Sequence, residues 1–303
     1  MSVTASDDPD QVDCDTVAIT TILKPRPRLI DGFPVARALP TRQRRLVGPF
    51  CFLDHLGPAE LVPGRAMDVR PHPHIGLATV SYLFAGEVMH RDSLGSTQLI
   101  QPGAVNWMNA GRGIAHSERT PEALRTTTSR LHLLQLWVAL PQAEEESEPT
   151  FQHCPASTLP ELTRSDARIR VLAGSAFGVT APVRTHSPLF FVEVSLPTGA
   201  SFELPDEHRE RAAYVVEGEL SCGSQRIVAQ DLALFTSDTR PMLIAESPCR
   251  LMLLGGAALE GPRHIDWNFV SSSKSRIERA KDDWRHGRFP RITGDDQEFI
   301  PLP

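Results

Sequence analysis

Residues 72–74 read His-Pro-His, and residues 116–118 read His-Ser-Glu. In a β-strand, residues i and i+2 point to the same side, about 6.5 Å apart along the chain. Each triplet therefore aims two ligand-type side chains into one space and turns its middle residue away. Two neutral imidazoles converging on one point make a ready metal chelate. One such pair is weak by itself, because surface strands carry it by chance. The second pair, His116 and Glu118, adds a third imidazole and a carboxylate. The set His72, His74, His116 and Glu118 contains no sulfur and one hard oxygen. It suits a single divalent transition metal, Fe(II), Mn, Ni, Cu or Zn. The donor set does not choose among them, because affinity order does not set occupancy in a cell; Fe(II) is the first expectation. Four protein ligands on an octahedral ion leave two positions open, which fits a reactive centre better than a closed structural site.

A barrel can bring these two pairs together. Short alternating runs stand at 78–84 (ATVSYLF), 87–93 (EVMHRDS), 97–101 (TQLIQ), 104–108 (AVNWM) and 130–140 (RLHLLQLWVAL), with Gly86, Gly95, Pro102-Gly103 and Gly111 between them. Many short strands at this spacing predict a sandwich or barrel. About four strands separate the two ligand pairs, as a barrel that returns to its own start requires. A second β-rich block runs from 189 to 256, and YLFAGEV (82–88) is echoed by YVVEGEL (214–220). Together with the matched strand rhythm, the echo predicts an internal duplication. Aligning Gly86 with Gly218 sets Leu204 and Asp206 against His72 and His74, and the later pair against Leu243 and Ala245. No histidine occurs between His208 and His264, so the second unit is expected to be metal-free. One helix is expected over about 275–286, with Ser275 and Glu278 as a capping box, an apolar stripe of Ile277, Ala280 and Trp284, and Gly287 as its stop.

Bulk properties narrow the function. The chain has 303 residues, 41% hydrophobic and 22% charged, with a net charge of −6. That balance is ordinary for a globular protein and gives no electrostatic grip on nucleic acid or an anionic membrane. No apolar run is long enough to span a bilayer. Residues 1–15 hold five Asp and no Lys or Arg, the opposite of a secretory leader. A disordered acidic tail over 1–18 and a cytoplasmic location are the expectation. Cys14, Cys51, Cys154, Cys222 and Cys249 are scattered, without a CxxC pair, and read as buried reduced thiols. His55, His90 and His132 read as hydrogen-bonded structural histidines, Trp107 and Met108 as core, and Arg42, Arg44 and Arg45 as a solvated basic face.

The longer motifs carry a resemblance. HPHIGLATVSYLFAGEVMHRDSLG from His72, PGAVNWMNAGRGIAHSE from Pro102 and LQLWVAL from Leu134 resemble the pattern of the pirin family, within the cupin superfamily. Residues 31–58 are similar to the family's opening strands and 267–290 to its C-terminal helix region, so the likeness spans about 20–293. It implies an all-β bicupin: two cupin-type (double-stranded β-helix, jelly-roll) barrels facing each other, with a short C-terminal helix and one metal in the first barrel. The family's ligand motif falls on His72, His74, His116 and Glu118. Ile75 and Ala78 stand where Arg and Glu are usual, and are expected to alter the surroundings of the ligands.

The expected organisation is a first, metal-binding barrel over 19–143, a connecting segment over 144–187, a degenerate second barrel with the helix over 188–293, and a tail over 294–303. Pirin-like proteins resemble quercetin 2,3-dioxygenases, which open the heterocycle of a flavonol with O2 and release CO. The resemblance thus implies a flavonol-like small molecule and O2 as partners, the metal as Lewis acid, and Glu118 as acceptor of the 3-hydroxyl proton. The alternative is a metal- or redox-responsive protein that contacts a protein partner as a transcriptional co-regulator, without turnover. A bicupin that keeps its metal but has no physiological flavonol is a third reading.

Overall fold

The computed structural model describes residues 18–30 and 32–303. The acidic segment expected over 1–18 lies, apart from Ala18, outside them. Two β-barrels of matching topology make up the structure, each a seven-strand path in one sheet opposed by a four-stranded sheet. In the first barrel the seven strands run in the order Thr150–Cys154, Val105–Asn109, Leu77–Ala85, Ser129–Ala139, Phe50–Leu61, Phe33–Leu39, Arg26–Ile30. Opposite lie Asp68–His74, Ile114–Arg119, Val88–Asp92 and Thr97–Ile100.

The second barrel repeats this order strand for strand: Ile19–Leu23, Leu232–Phe235, Glu210–Glu217, Cys249–Gly256, Leu189–Leu196, Ala167–Ala176, Glu161–Arg164. Its smaller sheet is Ser201–Glu203, Met242–Ala245, Glu219–Cys222 and Gln225–Val228. The duplication read from the two Tyr-x-x-x-Gly-Glu motifs is therefore a duplication of topology. Its two turns are also physically equivalent. Gly86 and Gly218 have φ of +85° and +89°, and a Cβ at either would meet a neighbouring strand's carbonyl oxygen at 2.3 Å, Arg130 and Pro248 respectively. Only glycine fits both the left-handed backbone and the close approach.

The outermost strands differ from the expected organisation. Ile19–Leu23 precedes the first barrel in sequence but pairs with Leu232–Phe235 of the second. Thr150–Cys154 and Ala167–Ala176, both within the expected connecting segment, complete the first and second barrels respectively. Each barrel thus closes its large sheet with chain from outside its own repeat. The exchange pairs Leu232–Phe235 and Val105–Asn109 on both sides and makes Ile19–Leu23 and Thr150–Cys154 the sheet edges.

The large sheets pack against each other through their outer faces. Ala78, Val80, Tyr82, Leu134, Leu136 and Val138 from one side meet Ala212, Tyr214, Met252 and Leu254 from the other in one buried cluster. Because one face of Leu77–Ala85 lies on the second barrel and the other on the first barrel's interior, most of that strand is buried on both sides. Trp107 belongs to this inter-barrel core, and Met108 to a smaller cluster with Ala110 and Ile114. Arg44 is more than a solvated charge, since its Nη2 donates to Glu210 Oε2 at 2.7 Å across the two barrels. Cys51, Cys154, Cys222 and Cys249 are free and buried, and burial pushes the Cys51 thiol up to about 12.

The helix spans Lys274–Arg285, and its cap is Ser273, whose side chain accepts from the Arg276 N–H. The expected box of Ser275 and Glu278 does not form. Ser275 Oγ bonds Ser273 Oγ at 2.8 Å, and Glu278 pairs with Lys281 at 3.1 Å. Starting one residue earlier than expected leaves Ser273 as the residue with extended backbone, which is what a cap needs. Ile277 and Ala280 are buried, with Trp284 beside them, against Ile75 and Phe269. The helix thereby packs on the metal-motif end of the first barrel. Among the described residues no helix is long and apolar enough to cross a membrane.

Candidate metal centre

His72 and His74 end one strand of the small sheet, and His116 lies on the neighbouring strand directly opposite His72. All three are buried. Their ligand atoms lie within 4.8 Å of one another. Between His116 and Glu118 the register slips: His116 faces His72, but Glu118 faces Val69. A bulge of this kind bends the strand and re-aims the side chain beyond it. Glu118, Ser81, Gln135, His72, His74 and Trp137 all border one cavity of about 460 Å³, whose other walls are largely aliphatic.

Hydrogen bonds decide which nitrogen of each ring faces the cluster. His72 Nδ1 lies 2.8 Å from the Arg70 carbonyl oxygen, and His74 Nδ1 3.0 Å from that of Asn268. A carbonyl can only accept, so both Nδ1 atoms carry the hydrogen and both Nε2 atoms present lone pairs. His116 is ordered through a longer chain. Its Nδ1 is 3.4 Å from His90 Nδ1, and His90 Nε2 is 3.2 Å from Asp92 Oδ2. With His90 donating from Nε2 to the carboxylate, its Nδ1 accepts from His116, which leaves His116 Nε2 as a lone pair too. Asp92 is buried, which by itself raises its carboxyl. The hydrogen bonds from His90 and the Ser96 N–H outweigh this and hold it below the usual carboxylate range.

The consequence is an arrangement that asks for a cation. His74 Nε2 and His116 Nε2 sit 3.1 Å apart, lone pair to lone pair. Burial and mutual proximity keep the rings unprotonated, with His72 lowered to about 4 and His74 and His116 well below the ordinary histidine value. Neutral imidazoles in fixed tautomers are the ligand-competent form. Three neutral, buried imidazoles with converging lone pairs thus fit a divalent metal.

Glu118 stands apart from the three-imidazole group. Ser81 Oγ lies 2.9 Å from its Oε1 and 2.9 Å from the Gln135 side-chain amide. One hydroxyl hydrogen serves one acceptor, so Ser81 donates to Glu118 and accepts from Gln135 with that amide turned to present its nitrogen. Burial raises the Glu118 carboxyl, with His90 and Ser81 opposing. A buried carboxylate whose proton affinity is raised, beside a largely aliphatic cavity, is the type of group that takes a proton from a ligand.

The two departures from the family pattern face away from the cavity. His72 and His74 point inward, so Ile75 turns outward and is buried against Phe269 and Ile277. Ala78 lies in the inter-barrel core. Neither side chain borders the cavity, and Ile75 reaches the ligands only through the Phe269 segment, which it bridges and which adjoins the Asn268 carbonyl on His74.

His90 is the hydrogen-bonded structural histidine expected, and its bonds run to Asp92 and His116. Three further contributors, Asp92, Asn268 and Arg37, are not singled out by the sequence, although Asp92 forms an i, i+2 pair with His90 in HRD, the same signal as His-Pro-His. Asn268, whose carbonyl holds His74, carries no signal because a backbone atom does the work. Arg37, which donates twice to Asp54 at 2.7 and 2.8 Å and stacks 4.4 Å over Phe52, also borders the cavity. In the second barrel Phe202 pairs with Leu243, as His72 pairs with His116. Of the residues set against the four ligands, Leu204, Leu243 and Ala245 join an apolar cluster, and Asp206 pairs with Arg240 at 2.5 Å.

Comparisons with known proteins agree with this architecture. A family profile described as Pirin matches residues 32–138, and one described as Pirin C-terminal cupin domain matches 191–290. A pirin-like protein of Caulobacter vibrioides is 46% identical over 288 residues, covering 94% of this chain and 99% of that one. A Pseudomonas aeruginosa protein provisionally named quercetin 2,3-dioxygenase PA1205 is 39% identical, over 90% of this chain and 87% of that one. Among solved structures, a quercetin 2,3-dioxygenase from Acinetobacter baumannii superposes with a TM-score of 0.87 at 33% identity, covering 93% and 94% of the two chains. A bacterial pirin from Escherichia coli in complex with nickel(II) shares the fold, with a TM-score of 0.61 at 19% identity, over 79% and 99%.

Proposed function

The chain belongs to the pirin family, and from that premise we propose that it is a metal-dependent dioxygenase that opens flavonols such as quercetin. One observation carries the reading: the Nε2 atoms of His74 and His116 meet lone pair to lone pair beside a largely aliphatic cavity of about 460 Å³. That volume lies within the range of small-molecule sites, roughly 300–1,000 Å³. Relatives named as quercetin 2,3-dioxygenases support the substrate class.

His72, His74 and His116 would hold the ion, with Glu118 as fourth ligand. A bound divalent ion supplies Lewis acidity that lowers the pKa of a chelating hydroxyl. The protein's own groups do the rest. Glu118, its carboxyl raised by burial, takes the proton of the flavonol 3-hydroxyl at its carboxylate oxygen. Ser81 holds that oxygen in place, and Gln135 holds Ser81. Trp137, packed edge-on to His74 at 5.2 Å and stacked on Phe52 at 4.1 Å, offers a flat apolar wall to a planar ring system. The aliphatic lining excludes water from the reacting carbons.

The test is metal analysis of the purified chain, followed by oxygen uptake and loss of the flavonol absorbance band with and without chelator. Turnover abolished by chelation and restored by metal supports the proposal. Absence of turnover after loading in turn with Fe(II), Mn(II), Ni(II) and Cu(II) would favour the interaction-protein alternative instead.

A further inference from the structure

The cavity is walled partly by chain that lies far away in sequence. Trp267, Asn268 and Ile300 border it together with the ligand residues. Ile300 is held there by its backbone on both sides. Its N–H donates to the Pro71 carbonyl at 2.8 Å, and its own carbonyl accepts from Trp284 Nε1 at 2.9 Å.

Pro71 belongs to the strand Asp68–His74, which pairs on one side only. Within a strand, a residue's N–H and C=O point to the same edge. Pro71 and Pro73 thus turn imide nitrogens without hydrogen toward the free edge, and that edge offers only acceptors along RPHPH. Another strand cannot extend it. A single donor can still dock, and Ile300 supplies it.

A second anchor reaches the neighbouring ligand strand. His116 and Glu118 point inward, and Ser117 and Arg119 alternate with them. Arg119 donates to both Asp295 oxygens at 2.7 Å, and Ser117 Oγ donates to Asp295 Oδ2 at 2.7 Å. Arg119 also reaches Glu298 at 3.0 Å. Residues 295–300 are in this way strapped to the backs of both strands that carry the imidazoles.

We propose that Ile300 is a specificity-determining residue of the metal cavity: the strap fixes its backbone, and its side chain sets the width through which a planar ligand reaches the imidazole cluster. The inference rests on the metal-site half of the proposed function and not on the identity of the flavonol. It is therefore tested with metal-directed probes. The full chain is loaded with Co(II), and the d–d band is followed during metal removal by 1,10-phenanthroline, a planar tricyclic chelator, and on titration with azide, a small anion.

Ile300→Trp keeps both backbone anchors and narrows the cavity, so phenanthroline should strip the metal about tenfold more slowly while azide affinity stays within about twofold. Ile300→Gly and Asp295→Asn, which open or loosen the strap, should each speed stripping while metal content after purification is unchanged. Equal stripping rates in all four proteins would overturn the proposal. So would a parallel change in azide binding, because that would mean the metal itself had been disturbed. Wild-type protein that is stripped as predicted but does not consume quercetin would refute the flavonol reading and leave Ile300's role standing.

Discussion

His90 and His116 face each other with their Nδ1 atoms 3.4 Å apart, and this contact orders the ring hydrogen of His116. His72 and His74 are set by backbone carbonyls, which cannot be mutated away. His116 is set by a side chain, backed by Asp92 at 3.2 Å. The third ligand is consequently the one whose orientation substitution can test.

Replacing His90 with Phe removes the acceptor for His116 Nδ1 while keeping the ring that stacks on Phe151 at 4.5 Å. Metal affinity should fall about 10- to 100-fold, as is usual when a ligand histidine loses its outer partner. Asp92→Asn should produce a smaller loss. Competition titration against a chelating dye measures both, and unchanged affinity in His90→Phe would contradict the relay.

Metal content should be one ion per chain, with none in the second barrel, where Leu204, Leu243 and Ala245 belong to an apolar cluster. His74→Ala should lose most of its metal by elemental analysis. Two ions per wild-type chain, or full occupancy in His74→Ala, would show the assignment wrong.

Glu118→Gln keeps a ligating oxygen but cannot accept a proton. Flavonol-dependent oxygen uptake should drop by about 10²- to 10⁴-fold, the usual contribution of a general base, with metal still measurably bound. A variant with full metal and full rate would remove Glu118 from the proton step.

Acid stability should be governed in part by a buried histidine pair between the barrels. His55 Nε2 lies 2.6 Å from His132 Nε2, and His55 Nδ1 lies 2.8 Å from the Tyr214 hydroxyl. Burial, and then His132, lower His55 to about 3, and burial lowers His132 as well. The unfolded chain binds a proton near pH 6.5, whereas the folded one does not until about 3. Stability from keeping His55 neutral is therefore full above pH 6.5 and lost as pH falls toward 3, at about 1.4 kcal/mol per pH unit. Chemical denaturation of metal-free protein between pH 7 and 5 should show this slope added to those of His72, His74 and His116, whose rings are also held neutral. The double variant His55→Leu/His132→Leu should make the slope shallower, and an unaltered slope would place none of the acid sensitivity in this pair.

Much of this protein was legible in one dimension. The period-2 spacing of His72 and His74 puts two imidazoles on one face of a strand, because alternation is a property of the extended backbone itself. His116 joins them, whereas a bulge separates Glu118 from His116. The echo of YLFAGEV in YVVEGEL announced the duplication, since both turns need a glycine at positive φ against a neighbouring carbonyl. The buried thiols, the core placement of Trp107 and the apolar stripe of the helix were legible for the same reason: local pattern and burial go together. What only the tertiary structure decided depends on atoms that composition and periodicity do not encode. Which nitrogen of His74 is free depends on the carbonyl of Asn268, 194 residues away. Which barrel receives Ile19–Leu23 depends on which sheet has an open edge. The packing of Ile75 and Ala78 away from the cavity depends on what lies behind the strand, and the cavity wall at Ile300 on a single backbone donor meeting an edge that offers only acceptors. Long-range hydrogen bonds and exchanged edges are set by where the chain returns in space, and a strand's own sequence does not carry that information.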